Sequence, residues 1–241
     1  MSVAETAPHA RCHWRSWSAE AAGTALMVLA ILLAAAVTRD TGSARFLLLG
    51  AIVAPCVALI AVSPLGQLSG AHINPAVTLG FWGLGRLAPR DVAGYVSAQL
   101  AGGFAGALAG RAILPAHTTE SIGGGVTHPS VSTGAAIVLE AAMTATLLSL
   151  VFAFASSERR ARWTPLAIVP LLTVIIWLGS PWTGASLNPA RSEGPALAFG
   201  DVSDLWIYFA APCAAALVVG ALWRRFSMRP CNAWRAAGTN P

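Results

Sequence analysis

Charge is what this sequence has least of. Only 10% of its 241 residues are Asp, Glu, Lys or Arg, against roughly 25% in soluble domains. A chain so poor in charge cannot face water on all sides, which excludes an ordinary soluble domain. Lysine is absent altogether, all fifteen basic residues being arginine, a bias ascribed to genome composition before function. Cysteine is scarce as well. Cys12, Cys56, Cys213 and Cys231 have neither metal-ligand spacing nor the density of a disulfide framework, and two of them fall in apolar runs. No metal site and no cofactor are expected. No nucleophile–base constellation stands out either, so an enzyme has no support. Residues 1–16 contain Arg11, His13 and Arg15 but no small-x-small cleavage site after a short apolar run. They are read as a cytoplasmic tail and not as a signal peptide.

What the chain has is hydrophobicity, 56% of residues and a mean hydropathy of +0.64. A membrane-spanning helix needs about 20 apolar residues, and six candidates occur at 17–37, 46–64, 92–114, 133–155, 163–180 and 203–223. The net charge of +5 carries no implication of nucleic acid, because in a membrane protein the sign is read loop by loop. Eleven arginines (11, 15, 86, 90, 159, 160, 162, 224, 225, 229 and 235) fall on the side of the N-terminus. Arg39, Arg45 and Arg111 fall on the other. This asymmetry predicts that both termini are cytoplasmic, with residues 225–241 forming a second tail.

The chain also repeats itself. "AEAAGTALMVLAILL" (19–33) and "LEAAMTATLLSLVFA" (139–153) each set a glutamate, Glu20 or Glu140, at the start of an apolar helix. "SGAHINPAVTLG" (69–80) and "TGASLNPARSEG" (183–194) then share an Asn-Pro-Ala core, 114 residues apart. Each half, about 17–114 and 133–224, has three spans, an odd number, so the second must enter the membrane inverted. Residues 115–132 join them. Inverted repeats build a site at the midplane where the copies meet.

One Asn-Pro dipeptide is an ordinary turn. Two Asn-Pro-Ala triplets at equivalent places of an inverted repeat are not. The apolar segments after Asn74 and Asn188 run to roughly ten residues, too short to span. Asparagine is a favoured helix N-cap, and proline suits the first helical position, where its missing N–H goes unneeded. Each Asn-Pro-Ala (Asn74, Pro75, Ala76; Asn188, Pro189, Ala190) therefore predicts a re-entrant half-helix. Two such N-termini would meet mid-bilayer, each bringing about half a positive charge of helix dipole. Their carboxamide N–H groups would point toward whatever passes, while the oxygens are held by backbone. Irregular backbone at that depth is tolerated where it lines a water-filled cavity. The prediction is a pore.

On these motifs, with "AQLAGGFAGA" of the third span, the sequence resembles the major intrinsic proteins, the aquaporin and aquaglyceroporin family, over residues 17–224. The resemblance implies an all-α membrane protein of aquaporin-like fold, with six transmembrane helices plus two re-entrant half-helices in an inverted repeat. It further implies a pore through each subunit of a homotetramer and passive diffusion without protons. Glu20 and Glu140 would each brace the half-helix loop of their own repeat by accepting backbone N–H bonds. His72 reads as a loop-fixing hydrogen-bonder or pore-mouth pH sensor rather than a metal ligand, and Gln99 as helix–helix glue.

Counting from the asparagines as the family does, the constriction falls on Ala54, Ile176, Ala185 and Arg191. Water-selective members place a bulky aromatic and a histidine at the first two positions. Alanine and isoleucine imply a wider, more apolar opening with Arg191 as its strong donor. This quartet is similar to that of the metalloid-transporting nodulin-26-like intrinsic proteins and their bacterial relatives. Ser192 and Ala196 depart from the residues of typical glycerol facilitators. Pro55 and Pro64 could bend the second span and shift Ala54 out of register. Gln67 stands where many members have histidine, and Glu193, some 200° around the helix from Arg191, is expected to avoid the lumen. The expectation is an inner (plasma) membrane channel for small uncharged solutes (glycerol, urea, undissociated boric or arsenous acid) and water, with lipid and its own copies as partners and no nucleic acid. The alternatives are a water-selective channel of the same fold, and a secondary transporter, which would need a midplane carboxylate for ion coupling.

Overall fold

The computed structural model describes residues 13–226. Arg11, Cys12, Arg229, Cys231 and Arg235 lie outside the described residues. Six helices are long and apolar enough to cross a membrane: α1 (His13–Thr38), α2 (Arg45–Val62), α4 (Pro89–Ile113), α5 (Thr133–Ala155), α6 (Thr164–Thr183) and α8 (Leu205–Phe226). Between them, among shorter helical turns, lie the two half-helices that follow the Asn-Pro-Ala cores, α3 (Pro75–Gly83) and α7 (Pro189–Phe199). At 1.5 Å per residue these reach about half-way through a hydrocarbon core of roughly 30 Å. Leu59, Val138, Leu166 and Val218 are among the large apolar side chains left exposed on the outside, as a lipid-facing surface requires.

Two expected boundaries move. Residues 13–16, expected in the N-terminal tail, are helical and continuous with α1. The second span ends at Val62, because Ser63 is extended (φ −68°, ψ 167°) and Pro64 opens a separate helical turn, Pro64–Ser69.

The packing repeats with the sequence. The closest-packed pairs are α1 with α4 and α2 with α6, followed by α7 with α4, α3 with α8 and α5 with α8. Thus each half-helix lies against the third span of the opposite pattern, α3 on α8 and α7 on α4, while α2 and α6 pair with each other across the repeat boundary. Helices in lipid gain no hydrophobic drive toward one another, so close contact rests on small residues that let backbones approach. A methyl at Gly103 would run into the Ala190 carbonyl, one at Gly194 into that of Gly103, and one at Gly220 into that of Gly80. The half-helices are therefore seated backbone to backbone.

Gly103→Leu should lower the thermal midpoint in detergent, since overpacking a closed contact costs about 1–3 kcal/mol or more. Leu108→Ala on the exposed face of the same helix should leave it unchanged. A Gly103→Leu protein as stable as the parent would show that this seat is loose.

Candidate functional site

The two loops that lead into the half-helices adopt the same backbone. Gly70 and Gly184 are left-handed (φ 92° and 80°), and so are four residues that are not glycine: Ala71 (51°), Ile73 (42°), Ala185 (45°) and Leu187 (55°). Each such residue costs roughly 1–2 kcal/mol, and a β-branched one such as Ile73 is a true outlier. Something must hold them there.

The glutamates do. Glu20 and Glu140 are fully buried. Glu20 accepts from the backbone N–H of His72 (2.9 Å) and of Ile73 (2.6 Å). Glu140 accepts from Ser186 (3.0 Å) and Leu187 (2.8 Å), the equivalent pair. The remaining capacity is filled locally, by the Gln99 amide on Glu20 (2.6 Å) and by the Thr183 hydroxyl on Glu140 (2.7 Å). Gln99 also donates to Thr78 (2.9 Å), so its role as glue runs through the Glu20 network.

The asparagines then tie the repeats together. The Asn74 oxygen caps α3 by accepting from Ala76 N–H (2.8 Å), and the Asn188 oxygen caps α7 from Ala190 (3.0 Å) and Arg191 (3.3 Å). Each carboxamide N–H reaches across the interface. Asn74 Nδ2 donates to Leu187 O and Asn188 Nδ2 to Ile73 O, both at 2.9 Å. Asn188 Nδ2 also lies 3.7 Å from the Met27 sulfur. One donor of each amide is thus spent on the opposite loop, which the expectation of free donors did not include.

These loops border a cavity of about 560 Å³ whose lining includes Asn74, Asn188, Ile176, Ala185 and Arg191. Three of the four residues assigned to the constriction by counting, Ile176, Ala185 and Arg191, thus share it with the two asparagines, but Ala54 does not. Ala54 is fully buried, and α2 meets the cavity through Leu49, Val53, Val57 and Ala61. The reason is the α2–α6 contact. A methyl at Gly50 would lie 2.7 Å from the Thr173 carbonyl oxygen, so Gly50 faces the α6 backbone, and Ala54, one turn further along, shares its face. Val53, one residue earlier, lines the cavity.

Arg191 is held by the loop joining the repeats, donating Nη1 to Gly125 O at 2.9 Å. His72 lines the cavity, with Nδ1 3.2 Å from the Thr78 hydroxyl and its ring stacked on Phe81 (4.6 Å, 6°). Among the described residues no His, Cys, Asp or Glu group could hold a metal ion. Glu193 stays off the cavity wall, and its Oε2 is shielded with no hydrogen-bond partner among the described residues. Cys56 and Cys213 are free thiols, each partly buried.

Two residues escaped the sequence reading. Tyr95 and Tyr208 donate to the carbonyls of Ser69 (2.6 Å) and Thr183 (2.7 Å), the residues opening the two loops. They are the chain's only tyrosines, 21 and 20 residues beyond Asn74 and Asn188, and that matched spacing was the signal.

The paired half-helices, their crossed asparagine bonds and the cavity they border agree with what comparison shows: the family profile of the major intrinsic proteins matches residues 8–223. The chain belongs to the major intrinsic protein family. Aquaporin NIP6-1 of Arabidopsis thaliana is 32% identical over 206 residues, 85% of this chain and 66% of that protein. Aquaporin NIP1-3 of Oryza sativa subsp. japonica is 34% identical over 224 residues, 88% of this chain and 74% of its own length. The chain therefore spans about two thirds to three quarters of these relatives. The X-ray structure of the aquaglyceroporin from Plasmodium falciparum superposes with a TM-score of 0.74 at 23% identity, covering 90% of this chain and 97% of that one. As a major intrinsic protein the molecule is a multi-pass membrane channel and not an enzyme.

Glu140→Ala should orphan two loop N–H groups and the Thr183 hydroxyl, at about 1–3 kcal/mol for each buried group left unpaired. Glu140→Gln keeps one acceptor oxygen and should lose less. Thermal unfolding in detergent should rank the three proteins parent, Gln, Ala. Equal stability of parent and Ala would mean that other groups hold the loop.

Proposed function

We propose that the protein is a passive channel for small uncharged solutes (glycerol, urea, undissociated boric or arsenous acid) and for water, and that it excludes ions and protons. The observation carrying this reading is the wall of the cavity. Aliphatic Val53 and Ile176 share it with Arg191 and Ala185, with no aromatic ring or histidine at the two bulky positions typical of a water filter. A polyhydroxyl solute can set its oxygens on the Arg191 fork and the asparagine amides, and its carbon face on Ile176. Cations meet Arg191 and two helix N-termini of positive sign, and an apolar wall gives anions too few donors to replace their hydration.

The constriction is assigned to Val53, Ile176, Ala185 and Arg191. Valine in place of alanine narrows the opening, which favours water-selective conduction as the second reading. The transporter reading loses its ion-coupling candidate: Glu20 and Glu140 are occupied by loop donors and neither lines the cavity. The channel is assigned to a plasma membrane with both termini cytoplasmic, from its arginine distribution, and to a homotetramer, from its family.

Stopped-flow light scattering on proteoliposomes tests the filter. Val53→Phe with Ile176→His should cut glycerol permeability at least about tenfold, about 1.4 kcal/mol on the barrier, while sparing water. Ala54→Phe should instead strain the α2–α6 contact and lower yield without changing selectivity. A parent protein that passes water and excludes glycerol and boric acid would replace this reading with the water-selective one.

A further inference from the structure

The segment joining the repeats does more than connect them. Gly123, Gly124 and Gly125 all have positive φ (58°, 61° and 75°), which turns the Gly125 carbonyl onto Arg191 Nη1. Two residues on, the Thr127 hydroxyl donates to Ser192 Oγ at 2.8 Å, the residue next to Arg191. The segment therefore grips the start of α7 at two adjacent points, and both depend on where residues 123–128 lie.

The next residue is anchored by charge. His128 Nδ1 is 3.0 Å from Asp204 Oδ2, and Nε2 is 3.2 Å from Asp201 Oδ2. A neutral imidazole has one N–H and one lone pair, so one of these contacts would set a lone pair against a carboxylate oxygen. Only the imidazolium is attracted to both, as a donor to Asp204 and as a close positive charge beside Asp201. Asp201 is prepared for this role. Its Oδ1 accepts from the Ser203 hydroxyl (2.8 Å) and N–H (3.2 Å), and those bonds, with His128 adding to them, hold the carboxyl below the usual carboxylate range. Arg111 and Glu120 share the adjoining hollow with His128 and Asp201. Arg111 is committed to the Ala198 carbonyl (2.6 Å), and neither it nor Glu120 is of a type that ordinarily changes charge where histidine does.

We propose that His128 is a positioning residue for Arg191: as an imidazolium bridging Asp201 and Asp204 it latches residues 123–128 to the turn between α7 and α8, which keeps Gly125 and Thr127 against the start of α7, and loss of its proton releases the latch. The inference rests on the reading that Arg191 borders the solute path. The sign follows from which form makes both contacts. The latch is fastened at low pH, where histidine carries its proton, and lost as pH rises. Once it is released, Arg191 loses its fixed carbonyl partner and can swing into the lumen, so passage of the larger solutes falls. His128 is 44% exposed, and exposed ion pairs are weak, so the effect is a modulation of about threefold and not a closed gate.

The test is glycerol and water permeability of proteoliposomes with equal pH inside and out, from about pH 5 to about pH 8.5, a range in which histidine is the side chain with an unperturbed titration. The parent should lose about threefold in glycerol permeability as pH rises, and less in water. His128→Gln should sit at the high-pH level throughout, and His128→Arg, with a permanent charge and a fork of donors, at the low-pH level throughout. Asp201→Asn with Asp204→Asn should also flatten the profile. His117→Gln, altering the other histidine of the joining segment, should retain it. A parent with glycerol flux but no pH profile, or a profile that survives in His128→Gln, overturns the latch. Absence of glycerol flux at every pH overturns the solute reading instead, and the water profile then decides the latch in the same way.

Discussion

Everything in this structure depends on one constraint: two stretches of irregular backbone sit deep in a membrane protein, and their polar groups must be paired from within the protein. Residues 70–74 and 184–188 meet it with the same device. Buried Glu20 and Glu140 take two loop N–H groups each. Asn74 and Asn188 each satisfy one carbonyl of the opposite loop. The strained φ values of Ala71, Ile73, Ala185 and Leu187 persist because these bonds over-determine them.

From that pairing the rest follows. Crossed asparagine bonds hold the two half-helix N-termini together, so their positive dipole ends are fixed in place. The glycine seats under α3 and α7 leave the half-helices no freedom to slide. With the carboxylates consumed in bracing, the cavity presents the asparagine amides, His72 and Arg191 among mostly apolar walls. Such a surface can exchange hydrogen bonds with a neutral solute without binding it tightly, which is what rapid passage needs.

The parts of this that could be read from sequence are those with a one-dimensional signal. Span length, the Asn-Pro start of each half-helix and the twofold recurrence of glutamate are all local, and helices begin where capping chemistry places them, at Pro75 and Pro189. Rotation about a helix axis is not local. Ala54 was placed by counting twenty residues back from Asn74, and a count along the chain does not report that Gly50 turns that face of α2 onto α6. The joining segment 115–132 read only as a linker because a backbone carbonyl, Gly125 O, has no residue type to betray it. The tyrosine pair was legible in principle, through matched spacing in a chain with only two tyrosines. Among the described residues nothing pairs the shielded oxygen of Glu193.

The central claim is that solute moves down its own gradient through a pore formed where the repeats meet. It is tested most directly by radiolabelled glycerol uptake into proteoliposomes over a range of gradients, with and without a protonophore. The account predicts initial rates linear in the gradient, internal glycerol that never exceeds the external concentration, and no effect of the protonophore. Accumulation above the external concentration that collapses on adding the protonophore would contradict it.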